Sequence, residues 1–268
     1  NVAQMLDKSS YSISLGNTHQ DGIISSTGMD RYNVKVSADT KLTNNWSSGF
    51  TANYITTSID KAVTSGNGLL RTVYAAPPSY DLAGIPSHVD GNPYTQNSFR
   101  GSFDNAYWAM ENNKFTEDTN RFFGNVYASY QTDFGTTNHK LNAKYMVGVD
   151  AYTTHYVDSY GYGSNTGGGR GQIENYGWTN ATYNSLLTIN YDWRINEDWG
   201  LNAVLGNEII QSNRKKYYEY GTNYNFPGWN HINNATTQQT EEETWKNRTV
   251  GFFGNVSASY KNMLYLTL

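Results

Sequence analysis

DRYNVKVSADTKL, running from Asp30 to Leu42, alternates almost without a break. Successive side chains of an extended strand point to opposite faces. Tyr32, Val34, Val36, Ala38 and Leu42 therefore fall on one side, and Arg31, Asn33, Lys35, Ser37, Asp39 and Lys41 on the other. A half-buried strand of a soluble sheet reads the same way. The stretch decides the fold because its pattern recurs along a chain whose connections alternate between very short and very long. That combination points to an all-β, antiparallel, up-and-down transmembrane β-barrel, apolar outside and wet inside.

About nine strands follow from the same reading, beginning near Ser10–His19 and continuing with the quoted stretch and with Trp46–Ile59. The next are expected near Asn120–Phe134, Lys140–Tyr156 and Thr182–Arg194, then from Trp199, before the link at 261–262, and across the final NMLYLTL. Links at 43–45, 135–138, 195–198 and 261–262 are short, whereas those around 60–118, 157–180 and 221–246 are long. Strict alternation collects every short turn at one end of the strands and every long loop at the other. A propeller or a sandwich gives no reason for that segregation. A long, Pro- and Gly-rich connection would count against a compact soluble domain, but it is expected on the outer rim of a barrel. Within the first long segment, 105–112 suggests local helix.

Composition narrows the classes. A hydrophobic fraction of 37% and the absence of any run near the roughly 18 apolar residues of a membrane helix exclude a helical membrane protein. A barrel escapes that test, since half of each strand faces water. Mean hydropathy of −0.68 is therefore compatible with a barrel wall. Aromatic residues reach 15%, with Tyr in excess, and Tyr and Trp suit both membrane interfaces and sugar-binding surfaces. Trp46, Phe134, Trp193, Trp199 and Tyr260, all near short links, would form one interfacial girdle. Cysteine is absent, which removes thiolate metal sites and thiol catalysis. The net charge of −4 with scattered Lys and Arg offers nucleic acid no basic patch.

No catalytic constellation is legible, and neither a catalytic residue, a metal site nor a cofactor is expected. The five histidines lack ligand spacing. Gly167-Gly168-Gly169 is not followed by the Gly-Lys-Ser/Thr ending of a phosphate loop. Glu241-Glu242-Glu243 reads as a solvated charge run in a loop. The candidate binding residues are the loop aromatics Tyr80, Tyr107, Trp108, Trp178 and Trp229, which could stack on a ligand or pack among the loops. FFGNVYASY at 122–130 recurs as FFGNVSASY at 252–260, and each copy follows an Arg, Arg121 or Arg248. The two copies should occupy equivalent places in two hairpins.

DRYNVKVSADTKL, the Ala76-Pro77-Pro78-Ser79-Tyr80 loop, YSISLGNTHQDGI at 11–23 and DNAYWAMENNKFTEDTNRFFGNVYASY at 104–130 resemble the SusC/RagA-like family of TonB-dependent outer-membrane transporters. The resemblance implies a barrel of about 22 strands occluded by an N-terminal plug, in the outer membrane of a Gram-negative bacterium. It further implies a SusD-like surface lipoprotein as lid and energy from the TonB complex through the N-terminal region. Cargo would be glycan oligosaccharides or, in some members, peptides. Residues 1–268 would then be a partial barrel domain, without plug or remaining strands. Two rivals stay open: a secreted, soluble β-rich glycan-binding module, and a passive porin-like channel.

Overall fold

The computed structural model describes residues 1–63, 68–261 and 263–268. Residues 64–67 of the long central segment and Asn262 of the expected 261–262 link lie outside them. The chain starts with β1 (Val2–Met5), β2 (Ser9–Asp21), β3 (Gly28–Lys41) and β4 (Trp46–Lys61). An insertion follows, with α1 (Leu69–Ala75), the small hairpin β5 (His88–Val89) and β6 (Asn92–Gln96), and α2 (Ala106–Asn112). The remaining strands are β7 (Lys114–Thr132), β8 (His139–Tyr160), β9 (Gln172–Arg194), β10 (Trp199–Tyr224), β11 (Ala235–Tyr260) and β12 (Leu264–Thr267).

All strands except β5 and β6 form one ten-stranded antiparallel meander in chain order. The extra strand relative to the expected nine is β1, which is only four residues long and too short for alternation to declare itself. Its register against β2, Val2 with Ile13 and Met5 with Ser10, is what makes it a strand. The sheet is not closed, and β1 and β12 are its edges. Rows of paired residues run obliquely to the strand ends. Trp46, the first residue of β4, is linked through Tyr130, Ala143, Ile189 and Leu205 to Gly254, well inside β11. Such a stagger tilts the strands, as a barrel wall requires.

Strand length is the main departure from expectation. β8 and β9 have 22 and 23 residues, and β10 and β11 have 26 each. A membrane strand needs only about 9–11. The loops expected at 157–180 and 221–246 therefore shrink to 161–171 and 225–234, and their flanks become strand. Glu241-Glu242-Glu243 is accordingly not a loop but part of β11, opposite Tyr218, Tyr217 and Lys216. The short connections stay at the opposite end, between β3 and β4, β7 and β8, and β9 and β10.

One face carries a continuous apolar band near the short turns. Val34, Tyr54 and Phe122 are adjacent on it through direct strand pairing, as are Ala38, Phe50, Val126 and Val147. These side chains are uncovered: Val126 is 52% exposed and Phe252 81%. The band opens with aromatic pairs at the short-turn end, Trp46 with Tyr130 at 5.0 Å and Trp199 with Tyr260 at 4.7 Å between ring centroids. It ends near Tyr54, Phe122 and Tyr183 on strands that continue well beyond. The opposite face is polar at the same depth. Arg121 makes a two-pronged contact with Asp150 (2.8 and 2.6 Å), and Tyr127 donates to Asp39 at 2.6 Å.

The two FFGNV copies lie at matching places on β7 and β11, with Phe122 and Phe252 in the band. Their arginines are not equivalent. Arg121 immediately precedes its Phe and faces inward to Asp150. Arg248 stands an even number of positions from Phe252, so period-two geometry turns it outward, where it donates to Gln211.

The buried hydrophobic residues sit elsewhere, among the segments at the long-loop end. Ile173, Tyr224 and Ala235 pack with Val157, Tyr162 and Ile232, and Trp108 has no exposed surface. Its indole N–H donates to the Pro93 carbonyl at 2.8 Å, while Asn105 caps α2 by accepting from the Tyr107 and Trp108 amides. Buried Asp104 ties the insertion to loop 161–171. Its carboxylate accepts from Gln96 Nε2 (2.8 Å), Ser164 Oγ (2.6 Å), and the backbone and side-chain amides of Asn165 (2.7 and 2.9 Å). Gly171 closes that loop at φ +75°, and a Cβ there would stand 2.5 Å from the Tyr224 ring. Gly171→Ala should destabilise the layer by about 1–3 kcal/mol, seen as faster proteolysis within 161–171. Gly168→Ala, at φ +67° but in open space, is the milder control.

Candidate functional site

Beyond the apolar band the inward face of the long strands forms a panel of rings and charges. Strict period-two geometry sends every second residue inward, and the register then aligns them across strands. Ile59, Glu117, Tyr156, Tyr176, Tyr218 and Glu241 make one row across β4, β7, β8, β9, β10 and β11. The adjacent row toward the loops reads Lys61, Phe115, Asp158, Glu174, Tyr220 and Gln239. On the band side, Thr154, Trp178, Lys216 and Glu243 are aligned.

Cross-strand neighbours of this kind meet face to face. Tyr156 and Tyr176 stack at 4.8 Å with planes 5° apart, and Trp178 lies 5.5 Å from Tyr156. Tyr218 continues the series, 6.4 Å from Tyr176. Cations cover both ends. Lys61 sits 4.5 Å over the Tyr156 ring and pairs with Glu117 at 3.4 Å. Arg214 lies 5.2 Å from Trp178 and 5.7 Å from Trp245. The panel therefore offers ring faces for stacking and both signs of charge for recognition.

A cavity of about 740 Å³ opens where the panel meets the loops, lined among others by Ile24, Lys61, Phe115, Asp158, Glu174 and Tyr176. Tyr176 donates to one Asp158 oxygen at 3.0 Å. The other, Oδ1, is buried without a hydrogen-bond partner among the described residues. A buried acceptor of this kind calls for a donor. Nothing in the panel pairs a nucleophile with a base, and among the described residues no cluster of His, Asp or Glu could hold a metal ion. The arrangement suits binding.

The five aromatics singled out from sequence are not brought together. Trp178 belongs to the panel. Tyr80 packs on Phe99 at 5.4 Å. Trp108 is fully buried, so its ring supports the layer. Trp229 is 45% exposed and stacks on His231 at 5.0 Å, and Tyr107 is exposed at the rim. Tyr176 and Asp158 were missed because 157–180 reads as a loop, whereas Tyr156, at the end of an expected strand, and Tyr218, ahead of the 221–246 loop, fall outside the loop aromatics chosen as candidates. The available signal was alternation itself, in Tyr156-x-Asp158-x-Tyr160 and Glu174-x-Tyr176-x-Trp178.

No family model and no curated protein match the chain. Among solved structures it is similar to the RagAB peptide transporter, with a TM-score of 0.78 at 13% identity over 99% of this chain. It is also similar to the RagAB peptide importer in the "closed-closed" state (TM-score 0.78, 15% identity) and the "open-open" state (0.79, 15%). In each case it covers 99% of this chain and 30% of that chain, so this chain spans less than a third of the structures it matches. At such identity the likeness is one of fold alone.

Proposed function

We propose that residues 1–268 are part of the barrel domain of a TonB-dependent transporter in the outer membrane of a Gram-negative bacterium. The protein imports an oligomeric nutrient, an oligosaccharide or a peptide, with the inward panel as part of the cargo path. The observation that carries this reading is the pairing of an uncovered apolar band on one face with a charged, ring-bearing face on the other. A soluble protein rarely exposes so extended an apolar surface; in a barrel, lipid covers it. The soluble glycan-binding module loses support on this ground.

Between cargo classes, rings alone would serve a sugar. The interleaved Lys61, Glu117, Asp158 and Glu174 favour a peptide, whose termini and side chains carry both charges. A SusD-like lipoprotein lid would meet the loop end, where Val73 and Tyr74 of α1 and Tyr107 of α2 are exposed. Tyr176→Ala combined with Trp178→Ala is expected to weaken cargo binding at least tenfold without changing assembly. Uptake of labelled oligosaccharides and oligopeptides by cells producing the intact protein measures this. Uptake that persists unchanged in cells without TonB would instead establish the passive channel.

A further inference from the structure

The Lys and Arg residues of the described strands follow a rule with few exceptions. Arg31, Lys35, Lys61, Lys140, Lys144 and others fall on the inward positions. The outward ones are Lys114, alone at the start of β7, and Lys215, Lys246 and Arg248 on β10 and β11. None lies within the apolar band.

The last three are neighbours. Beyond Val250, paired with Ile209 at the band's edge, the next outward pairs are Gln211 with Arg248, Asn213 with Lys246, and Lys215 with Thr244. All three cations are exposed. Lys215 pairs with Glu242 at 2.7 Å. Arg248 Nε donates to the neutral Gln211 Oε1 at 2.9 Å, which holds the guanidinium against the strand with donors to spare. Among the described residues no carboxylate pairs with Arg248 or Lys246, so the patch carries net positive charge.

Its height identifies its surroundings. The band on β11 runs ten residue steps from the Tyr260 girdle to Val250, roughly 33 Å along the strand, which a tilt of about 40° projects to about the 25 Å of a barrel's apolar belt. Arg248 and Lys246 therefore begin where hydrocarbon ends, on the lipid side and toward the long-loop end. The groups beside them at that height are headgroups. A fork of guanidinium donors with two ammonium groups suits phosphate, and cations at a membrane surface attract anionic lipid. We propose that Lys215, Lys246 and Arg248 form an outward-facing site for the phosphate group of an anionic lipid in the outward-facing leaflet. This rests on the membrane-barrel reading above.

The test uses the intact protein in bilayer nanodiscs containing phosphatidylcholine with a one-fifth share of phosphatidylglycerol, with retained lipid counted by native mass spectrometry after extraction. Lys215→Gln/Lys246→Gln/Arg248→Gln should lower retained phosphatidylglycerol about tenfold, Arg248→Gln alone severalfold, and the inward pair Lys35→Gln/Lys140→Gln not at all. Equal retention in wild type and the outward variants overturns the proposal, as does equal loss in the inward pair. Should the triple variant not insert, the Arg248→Gln result decides. Displacement of the lipid by millimolar inorganic phosphate would make this a free-anion site and overturn the lipid assignment. A wild-type protein that does not enter bilayers at all would instead defeat the barrel reading, a separate and visible outcome.

Discussion

Val126→Arg is expected to destabilise the membrane-inserted protein by about 2–4 kcal/mol. Val126 lies mid-band, directly paired with Phe50 on one side and Val147 on the other. On the membrane reading a cation there would have hydrocarbon around it, with the girdle at Trp46 and Tyr130 too far along the strand to be reached. Its sequence neighbour Asn125 faces the other way, between Thr51 and Gly148, and Asn125→Arg should cost little in a wet interior. In a soluble protein both substitutions would fall within about 0.5 kcal/mol, because Val126 is already exposed. Denaturant unfolding from lipid vesicles separates the two cases. Equal, small effects at 125 and 126 would remove the membrane assignment.

Asp104→Ala should release the insertion from loop 161–171 while leaving the sheet intact. The carboxylate holds four donors from Gln96, Ser164 and Asn165, and its backbone carbonyl accepts from Thr72 Oγ1 at 2.8 Å. Hydrogen bonds to a charged group contribute about 1.5–3 kcal/mol each, and their buried donors would be left unmatched. A loss of about 3 kcal/mol corresponds to roughly a hundredfold change in an opening equilibrium. Amide exchange in 92–112 and 161–171 should therefore accelerate by about that factor, with β7 and β8 near Val126 and Val147 unchanged. Asp104→Asn, which keeps one carbonyl acceptor, should fall between. Unchanged exchange in the Ala variant would show that the latch does not hold the layer.

Within the apolar band the sequence was readable because, in a barrel wall, each strand would meet two different surroundings. Tyr32, Val34, Val36 and Ala38 face one, and Arg31, Lys35 and Asp39 the other, so alternation in polarity reports alternation in direction. The short turns are legible for a related reason: a tight link must sit where the alternation stops. Beyond the band both faces of a strand are wet. Thr153, His155 and Val157 point one way and Thr154, Tyr156 and Asp158 the other, with little contrast between them. Polar stretches of this kind resemble loops, and 157–180 and 221–246 were read accordingly.

What the amino-acid order by itself determined is therefore the two-faced wall: which side chains stand on the apolar face, which on the polar one, and at which end the short turns collect. Only the tertiary structure decided how far the strands continue, how they are staggered, and which residues stand side by side. Pairing register is a relation between strands distant in sequence. The row Glu117, Tyr156, Tyr176, Tyr218 exists only once four strands are aligned by their hydrogen bonds. The same holds for Arg121 and Arg248, alike in the sequence and opposite in the fold, because a single step along a strand reverses the face.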